Sequence, residues 1–226
     1  MQIAIPIFEG FTALDAIGPY EVLSRLPGAE VVLCGERRGP TRTESGMVEI
    51  TADLELGEVE SPDVIVVPGG VGNRRLLDPD GAYPRWIAAA DEHTTWTTSV
   101  CTGSLMLAAA GLLDGVEATT HWAARESLAE LGAIPIAQRV VERGKLITAA
   151  GVSAGIDMAL TLVERIAGET VSQAIQLGIE YDPDPPHDTG SLEKAPPELV
   201  ALVREMIGQE DARADELAAG GSVTDG

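Results

Sequence analysis

Short apolar runs, each about the length of one strand, alternate along the first two-thirds of the chain with stretches whose apolar positions recur at helical spacing. Gln2 to Phe8 opens the series as a strand. A helix follows, ending near Leu26, with Pro19 suited to its first turn. Ala29 to Cys34 predicts the next strand, and the Gly- and Thr-rich stretch from Arg37 to Ile50 a small β excursion. Val64-Ile65-Val66-Val67 is apolar without alternation, the pattern of a strand covered on both faces. It runs directly into Pro68-Gly69-Gly70. Ala82 to Glu92 reads as a helix, Thr95 to Val100 as a strand, and Leu105 to Ala110 as an apolar helical run. Trp122 to Leu131 predicts a further helix, and Val140 to Thr148 a hairpin around Gly144. Ser153 caps a helix reaching Ala167, and Glu169 to Tyr181 continues helically. Asp182 to Pro186 breaks the pattern, and Pro196 to Gly208 is the last predicted helix. The alternation predicts an α/β fold in three layers, a mostly parallel central sheet with helices on both faces. One domain is expected over residues 1–208, then an acidic, Ala- and Gly-rich, solvated tail over 209–226.

The composition narrows the class. A chain of 226 residues, 45% of them apolar, can bury a large core. No apolar run reaches the roughly 18 residues needed to span a bilayer. Met1 to Phe8 reads as a strand rather than a leader peptide, so a soluble cytoplasmic protein is expected. The two cysteines, Cys34 and Cys101, make no disulfide framework. Cys34 falls within the apolar run Val31-Val32-Leu33-Cys34 and reads as a small core residue. The formal net charge of −21 repels phosphate backbones, so neither nucleic acid nor a membrane is an expected partner.

The chemistry gathers at Cys101. It lies between the strand ending at Val100 and the helical run beginning near Leu105, so a strand, a tight turn and a helix meet at one thiol. This predicts a nucleophile elbow, in which Gly103 permits the sharp turn and the helix N-terminus favours the thiolate. The alternative is a packed structural thiol. In open parallel sheets, sites form at the carboxyl ends of the strands. That rule would gather Asp15, Gly69, Gly70, Cys101 and Thr102. Asp15 reads either as a helix cap or as a desolvated carboxyl whose pKa burial and a nearby thiolate would raise, leaving it a proton to donate. Gly69 and Gly70 form either a plain tight turn or a pair of backbone donors to a substrate. His121, beside Trp122, is either a base for the cysteine or a packed, hydrogen-bonded ring. His93 and His187 sit in polar surroundings. No Cys/His spacing suits zinc, and Gly69-Gly70-Val71-Gly72 fits neither a dinucleotide fingerprint nor a P-loop.

Several segments together resemble the ThiJ/PfpI superfamily, a flavodoxin-like group related to class I glutamine amidotransferases. They are Ser99-Val100-Cys101-Thr102-Gly103-Ser104, Ala109-Ala110-Gly111-Leu112-Leu113 and Ala118-Thr119-Thr120-His121-Trp122. Leu14-Asp15 with Gly18-Pro19, Val67-Pro68-Gly69-Gly70 and Glu180-Tyr181-Asp182-Pro183 add to the resemblance, which spans roughly residues 2 to 205. The combination of the elbow with Asp15 is most similar to the isocyanide (isonitrile) hydratases. What this implies is a flavodoxin-like fold and a homodimer without metal or organic cofactor, acting on a small molecule. It further implies Cys101 as nucleophile, Asp15 as acid/base and Thr102 as their polar neighbour, with Gly69, Gly70 and Gly103 lining the substrate site. The reaction expected is hydration of an isocyanide to an N-substituted formamide through a covalent thioimidate. The alternatives are a redox-sensing or small-molecule-binding protein and a cysteine hydrolase or amidase of the same superfamily. Peptidase-like branches place a histidine directly after the cysteine, where this chain has Thr102. AraC-type regulators share the Cys-Thr-Gly and Thr-Thr-His-Trp segments. Their helix-turn-helix domain is not expected in the roughly forty residues after Tyr181.

Overall fold

The apolar runs fold as β1 (Gln2–Pro6), β2 (Glu30–Gly35), β6 (Val64–Val67), β7 (Trp96–Val100) and β11 (Leu146–Ala149). Between and after them lie β3 (Gly39–Arg42), β4 (Glu49–Ala52), β5 (Leu54–Glu55), β8 (Glu117–Ala118), β9 (Ile134–Pro135) and β10 (Val140–Arg143). The helices are α1 (Ala13–Leu23), α2 (Ala82–Asp91), α3 (Gly103–Ala109), α4 (Arg125–Glu130), α5 (Ala154–Ala167), α6 (Glu169–Gly178) and α7 (Pro197–Gly220). Short 3₁₀ turns occupy Val71–Leu76 and Trp122–Ala124. The computed structural model describes residues 1–220. Residues 221–226, the end of the expected acidic tail, lie outside the described residues.

Seven strands form the central sheet in the order β10-β11-β7-β6-β1-β2-β5. Every neighbouring pair is parallel except the hairpin β10–β11, which turns at Gly144 with φ +61°. Helices α1 and α5 pack together on one face, and α2 and α3 on the other. All four residues of β6 are buried, which explains their unbroken apolar pattern. The fold is therefore the three-layer α/β sandwich expected. The excursion after β2 is an antiparallel β3–β4 hairpin.

The path of the chain positions the site. From β1 the chain steps to β2 on one side, then returns to β6 on the other side of β1. The carboxyl ends of β1 and β6 thus flank the point where strand order reverses, the usual ligand crevice of such sheets. The connection after β1 leads into Asp15 in the first turn of α1, and the loops after β6 and β7 carry Gly69 with Gly70, and Cys101.

Helices α1 and α7 depart furthest from the sequence expectation. Helix α1 starts at Ala13, so Pro19 lies inside it rather than in its first turn. Proline has no N–H to offer the Asp15 carbonyl four residues earlier. The Pro19 ring instead packs where α1 meets α5, with Pro19 Cγ 3.2 Å from where a Cβ at Gly155 would stand. The last helix runs on through Gly208 to Gly220 instead of ending there, since Glu, Ala, Leu and Arg are good helix formers. The chain divides into two compact units, one from Met1 to Tyr181 and one beginning at Asp182. The first holds the sheet and every candidate site residue. The second consists of turns and bends leading into α7.

Candidate active site

Cys101 directly follows β7 with φ +56°, in the left-handed region that side chains with a Cβ rarely adopt. The sharp turn is therefore made by the cysteine itself, not by Gly103 as expected. Such a conformation costs on the order of 1–3 kcal/mol and persists only where its surroundings hold it. Here they do. The Cys101 amide donates to the carbonyls of Ala149 (3.1 Å) and Ala150 (2.8 Å). Its carbonyl accepts from Thr120 Oγ1 (3.0 Å) and Ser104 Oγ (3.2 Å). Gly103 has a different task. A Cβ there would lie 2.1 Å from the Val67 carbonyl oxygen, so only glycine lets α3 start against the end of β6. Gly103→Ala should therefore lower stability by about 1–3 kcal/mol or more, measured by denaturant unfolding, because the clash is with backbone.

Asp15 is fully buried in the first turn of α1, three residues after the N-cap Thr12, so it is not the cap. Its Oδ2 accepts from the Gly69 amide at 2.9 Å. Its Oδ1 is buried without a partner that meets hydrogen-bond geometry, although the carboxyl lies close enough to the Cys101 thiol for each to act on the other's proton. Thr102 Oγ1 accepts from the Gly70 amide at 3.0 Å. The two glycine amides thus hold Asp15 and Thr102, rather than standing open to a substrate. A Cβ at Gly69 would sit 2.6 Å from Thr102 N, so the β6 loop and the elbow meet backbone to backbone. The structure brings together Asp15, Gly69, Gly70, Cys101, Thr102 and Gly103.

Burial governs the site's proton chemistry. It pushes the Asp15 carboxyl up to about 8, outweighing the Gly69 amide that favours the charged form, with Glu44 adding to the rise. The hydrogen bond with the Cys101 thiol works the other way and lowers it. Cys101, 6% exposed, is pushed well above the ordinary thiol range by burial first and by Asp15 second. The amides of Thr102 and Val152 donate to it and pull the other way without prevailing. The low thiol pKa expected from the helix N-terminus is therefore not found. Asp15 and Cys101 do not both ionise readily, and near neutral pH the pair retains a proton.

His121 stands apart from this pair. Its Nδ1 accepts weakly from the Ala123 amide at 3.4 Å, and its ring lies tilted against Trp122 at 5.4 Å. A Cβ at Gly151 would touch its Cδ2 at 3.1 Å, and burial lowers its pKa. His93 and His187 are exposed. Cys34 is buried in β2, its thiol pushed up to about 12. A separate cavity of about 460 Å³ at the ends of β1 and β2, lined by Phe8, Gly72 and Tyr83 among others, contains none of the predicted site residues.

Four residues that the sequence did not single out support the site. Asn73, 1% exposed, donates through Nδ2 to the Thr102 carbonyl at 2.7 Å. Glu44, between β3 and β4, accepts from Thr12 Oγ1 at 2.8 Å and raises the proton affinity of both Asp15 and Cys101. Thr120 and Ser104 hold the Cys101 carbonyl. Thr120 stands in the Thr-Thr-His-Trp segment and Ser104 in the elbow segment, so the signal was present for these two. Glu44 and Asn73 reach the site only through a hairpin and a 3₁₀ turn that spacing does not reveal.

Comparison with known proteins identifies the family. The sequence profile of the DJ-1/PfpI family matches residues 1–165. An isonitrile hydratase of Pseudomonas putida is 41% identical over 204 residues, which cover 90% of this chain and 89% of that protein. The HTH-type transcriptional regulator CdhR of Pseudomonas aeruginosa is 32% identical over 145 residues, covering 63% of this chain but only 42% of the regulator. Among solved structures, a ThiJ/PfpI family protein from Pseudomonas syringae superposes with a TM-score of 0.87 at 36% identity, covering 96% of this chain and 90% of that one. Drosophila melanogaster DJ-1beta, at 22% identity and a TM-score of 0.72, covers 79% of this chain and shares the fold.

Proposed function

The chain belongs to the DJ-1/PfpI family, and we propose that it is a cysteine-dependent isonitrile hydratase, converting R–N≡C and water to an N-substituted formamide. The single observation that carries this reading is the buried Asp15–Cys101 pair, in which a carboxyl kept protonated to about pH 8 adjoins a thiol. The similarity to the Pseudomonas putida isonitrile hydratase over nearly the whole of both chains supports it.

The steps follow from what each group can donate. The reactive form of the pair is the singly charged one in which the Cys101 proton has passed to the Asp15 carboxylate, leaving a thiolate on Cys101 and a carboxylic acid on Asp15. The Cys101 sulfur adds to the terminal carbon of the isonitrile, and Asp15 delivers its proton to that carbon. This forms a C–S and a C–H bond and leaves R–N=CH–S–Cys101 beside an Asp15 carboxylate. The carboxylate takes a proton from water as the oxygen attacks the same carbon, then passes it to nitrogen. The resulting R–NH–CH(OH)–S–Cys101 collapses as its hydroxyl proton returns to Asp15 and the C–S bond breaks. The products are R–NH–CHO, the Cys101 thiolate and protonated Asp15, the starting state. The Thr102 and Val152 amides stabilise negative charge on sulfur each time it forms. His121 has no step in this scheme, since its Nδ1 is turned to Ala123 and its ring to Trp122 and Gly151.

The raised proton affinities set the pH dependence. The singly charged pair becomes scarcer as pH falls below the Asp15 value of about 8. The value of kcat/KM should therefore fall about tenfold per pH unit below that point and level off above it. A profile flat between pH 5.5 and 7.5 would contradict this protonation scheme. The function itself is tested by mixing purified protein with an aryl isonitrile and following the aryl formamide by chromatography. Formamide made well above the uncatalysed rate supports the assignment, and none across several isonitriles refutes it. The family resemblance further supports a cytoplasmic homodimer, for which light scattering should give about twice the 23.6 kDa subunit mass. No described helix is long and apolar enough to cross a membrane.

A further inference from the structure

One peptide unit joins Cys101 to Thr102. Its carbonyl belongs to Cys101 and its amide to Thr102, and planarity ties the two directions together. The amide donates to Cys101 Sγ. The carbonyl accepts from Thr120 Oγ1 at 3.0 Å and from Ser104 Oγ at 3.2 Å. We infer that Thr120 is a positioning residue for the hydration, its hydroxyl fixing this peptide plane so that the Thr102 amide stays aimed at the sulfur. The inference rests on the reading of Cys101 as the nucleophile.

Three observations support it. First, Cys101 is held at φ +56°, a conformation with a standing tendency to relax, and relaxation would rotate this peptide. Second, Thr120 is an anchor from outside the elbow. It is fully buried and follows β8, where the neighbouring Thr119 is fixed by its amide donating to Thr148 Oγ1 (2.9 Å) and its hydroxyl to the Gln138 carbonyl (2.8 Å). Ser104 lies only three residues along the same elbow, so its bond is local, whereas Thr120 ties the carbonyl to a separate segment of the chain. Third, the charges acting on Cys101 are those of Asp15 from α1 and Glu44 from the β3–β4 loop, and both oppose a thiolate. The Thr102 and Val152 amides are what favour it. A hydrogen bond to the carbonyl of a peptide also polarises the N–H of that peptide, strengthening its donation to sulfur.

The test compares Thr120→Val, which keeps the shape and removes the hydroxyl, with Thr120→Ser, which keeps the hydroxyl. Two readouts are taken: the rate of Cys101 alkylation by iodoacetamide against pH, and kcat and KM on an aryl isonitrile. The Val variant should shift the alkylation profile to higher pH and lower kcat about tenfold, with KM within about twofold, as expected for one lost hydrogen bond to a charged step. The Ser variant should restore both. If thermal melting shows that the Val variant does not fold, Thr120→Ala takes its place in the same comparison. A wild-type alkylation profile in the hydroxyl-less variant would overturn the inference. Equal losses in the Val and Ser variants would do so too, since they would indicate packing. Because alkylation needs no isonitrile, a protein without hydratase activity would still show whether Thr120 tunes Cys101.

Discussion

Cys101→Ala should purify as a folded protein that makes no formamide. The thiol side chain is almost wholly enclosed, so removing one sulfur atom leaves a small void and a fold otherwise intact. Alanine takes the left-handed backbone at φ +56° about as reluctantly as cysteine, and the bonds that hold this turn come from backbone and from Thr120 and Ser104. Melting temperature should therefore change little. Activity should fall on the order of 10⁴-fold or more, as for the loss of a nucleophile whose partners act only through it. Cys34→Ala serves as the control. Cys34 pairs with Pro6 between β1 and β2, and burial keeps its thiol inert, so its loss should leave turnover unchanged. Steady-state kinetics on one isonitrile, with melting curves for both variants, check these outcomes together.

Asp15→Asn should cost activity and add stability, a combination that distinguishes a proton donor from a structural cap. An asparagine oxygen still accepts from the Gly69 amide, so the shape of the site survives. What is lost is the proton that must reach carbon, and general acid/base groups are worth roughly 10²–10⁴-fold. The stability effect follows from the raised pKa. Asp15 has an ordinary value of 3.8 and a folded value of about 8, so the folded state holds its proton more tightly than the unfolded chain. That contribution is fully present below about 3.8 and is lost as pH rises through about 8. The wild type therefore pays a growing penalty across this window, and the asparagine variant does not titrate. The variant's advantage in urea unfolding should be smallest near pH 4.5, grow through pH 7 and level off above pH 8. Parallel stability curves would mean that Asp15 is not held protonated.

The sheet was legible because its strands are short apolar runs separated by helical spacing, and β6, with no polar position at all, could only be a covered strand. The site was legible where one loop carries it. Cys101, Thr102, Gly69 and Gly70 lie just after strands, Asp15 opens the helix that follows β1, and the rule placing sites at strand ends brings them together. What local pattern could not supply was burial. The helix N-terminus suggested a low thiol pKa, but nearly complete enclosure and Asp15 reverse that direction. Gly103 suggested flexibility, yet its role is close contact with Val67, and the strained residue is the cysteine. Glu44 was hidden for a similar reason. It acts on Asp15 only because the β3–β4 hairpin folds back on the loop after β1, where its amide donates to the Phe11 carbonyl at 2.9 Å. Pro19 misplaced the start of α1, since a proline inside a helix is tolerated here by packing against α5 rather than by position.

The central claim is that isonitrile hydration passes through the Cys101 sulfur. The most direct measurement on the native protein is residual hydratase activity against the fraction of Cys101 alkylated, with the modified cysteine identified by peptide mass spectrometry. Activity should fall in proportion to Cys101 modification and reach zero when it is complete, with Cys34 unmodified throughout. Formamide production that persists at full Cys101 alkylation would contradict the account.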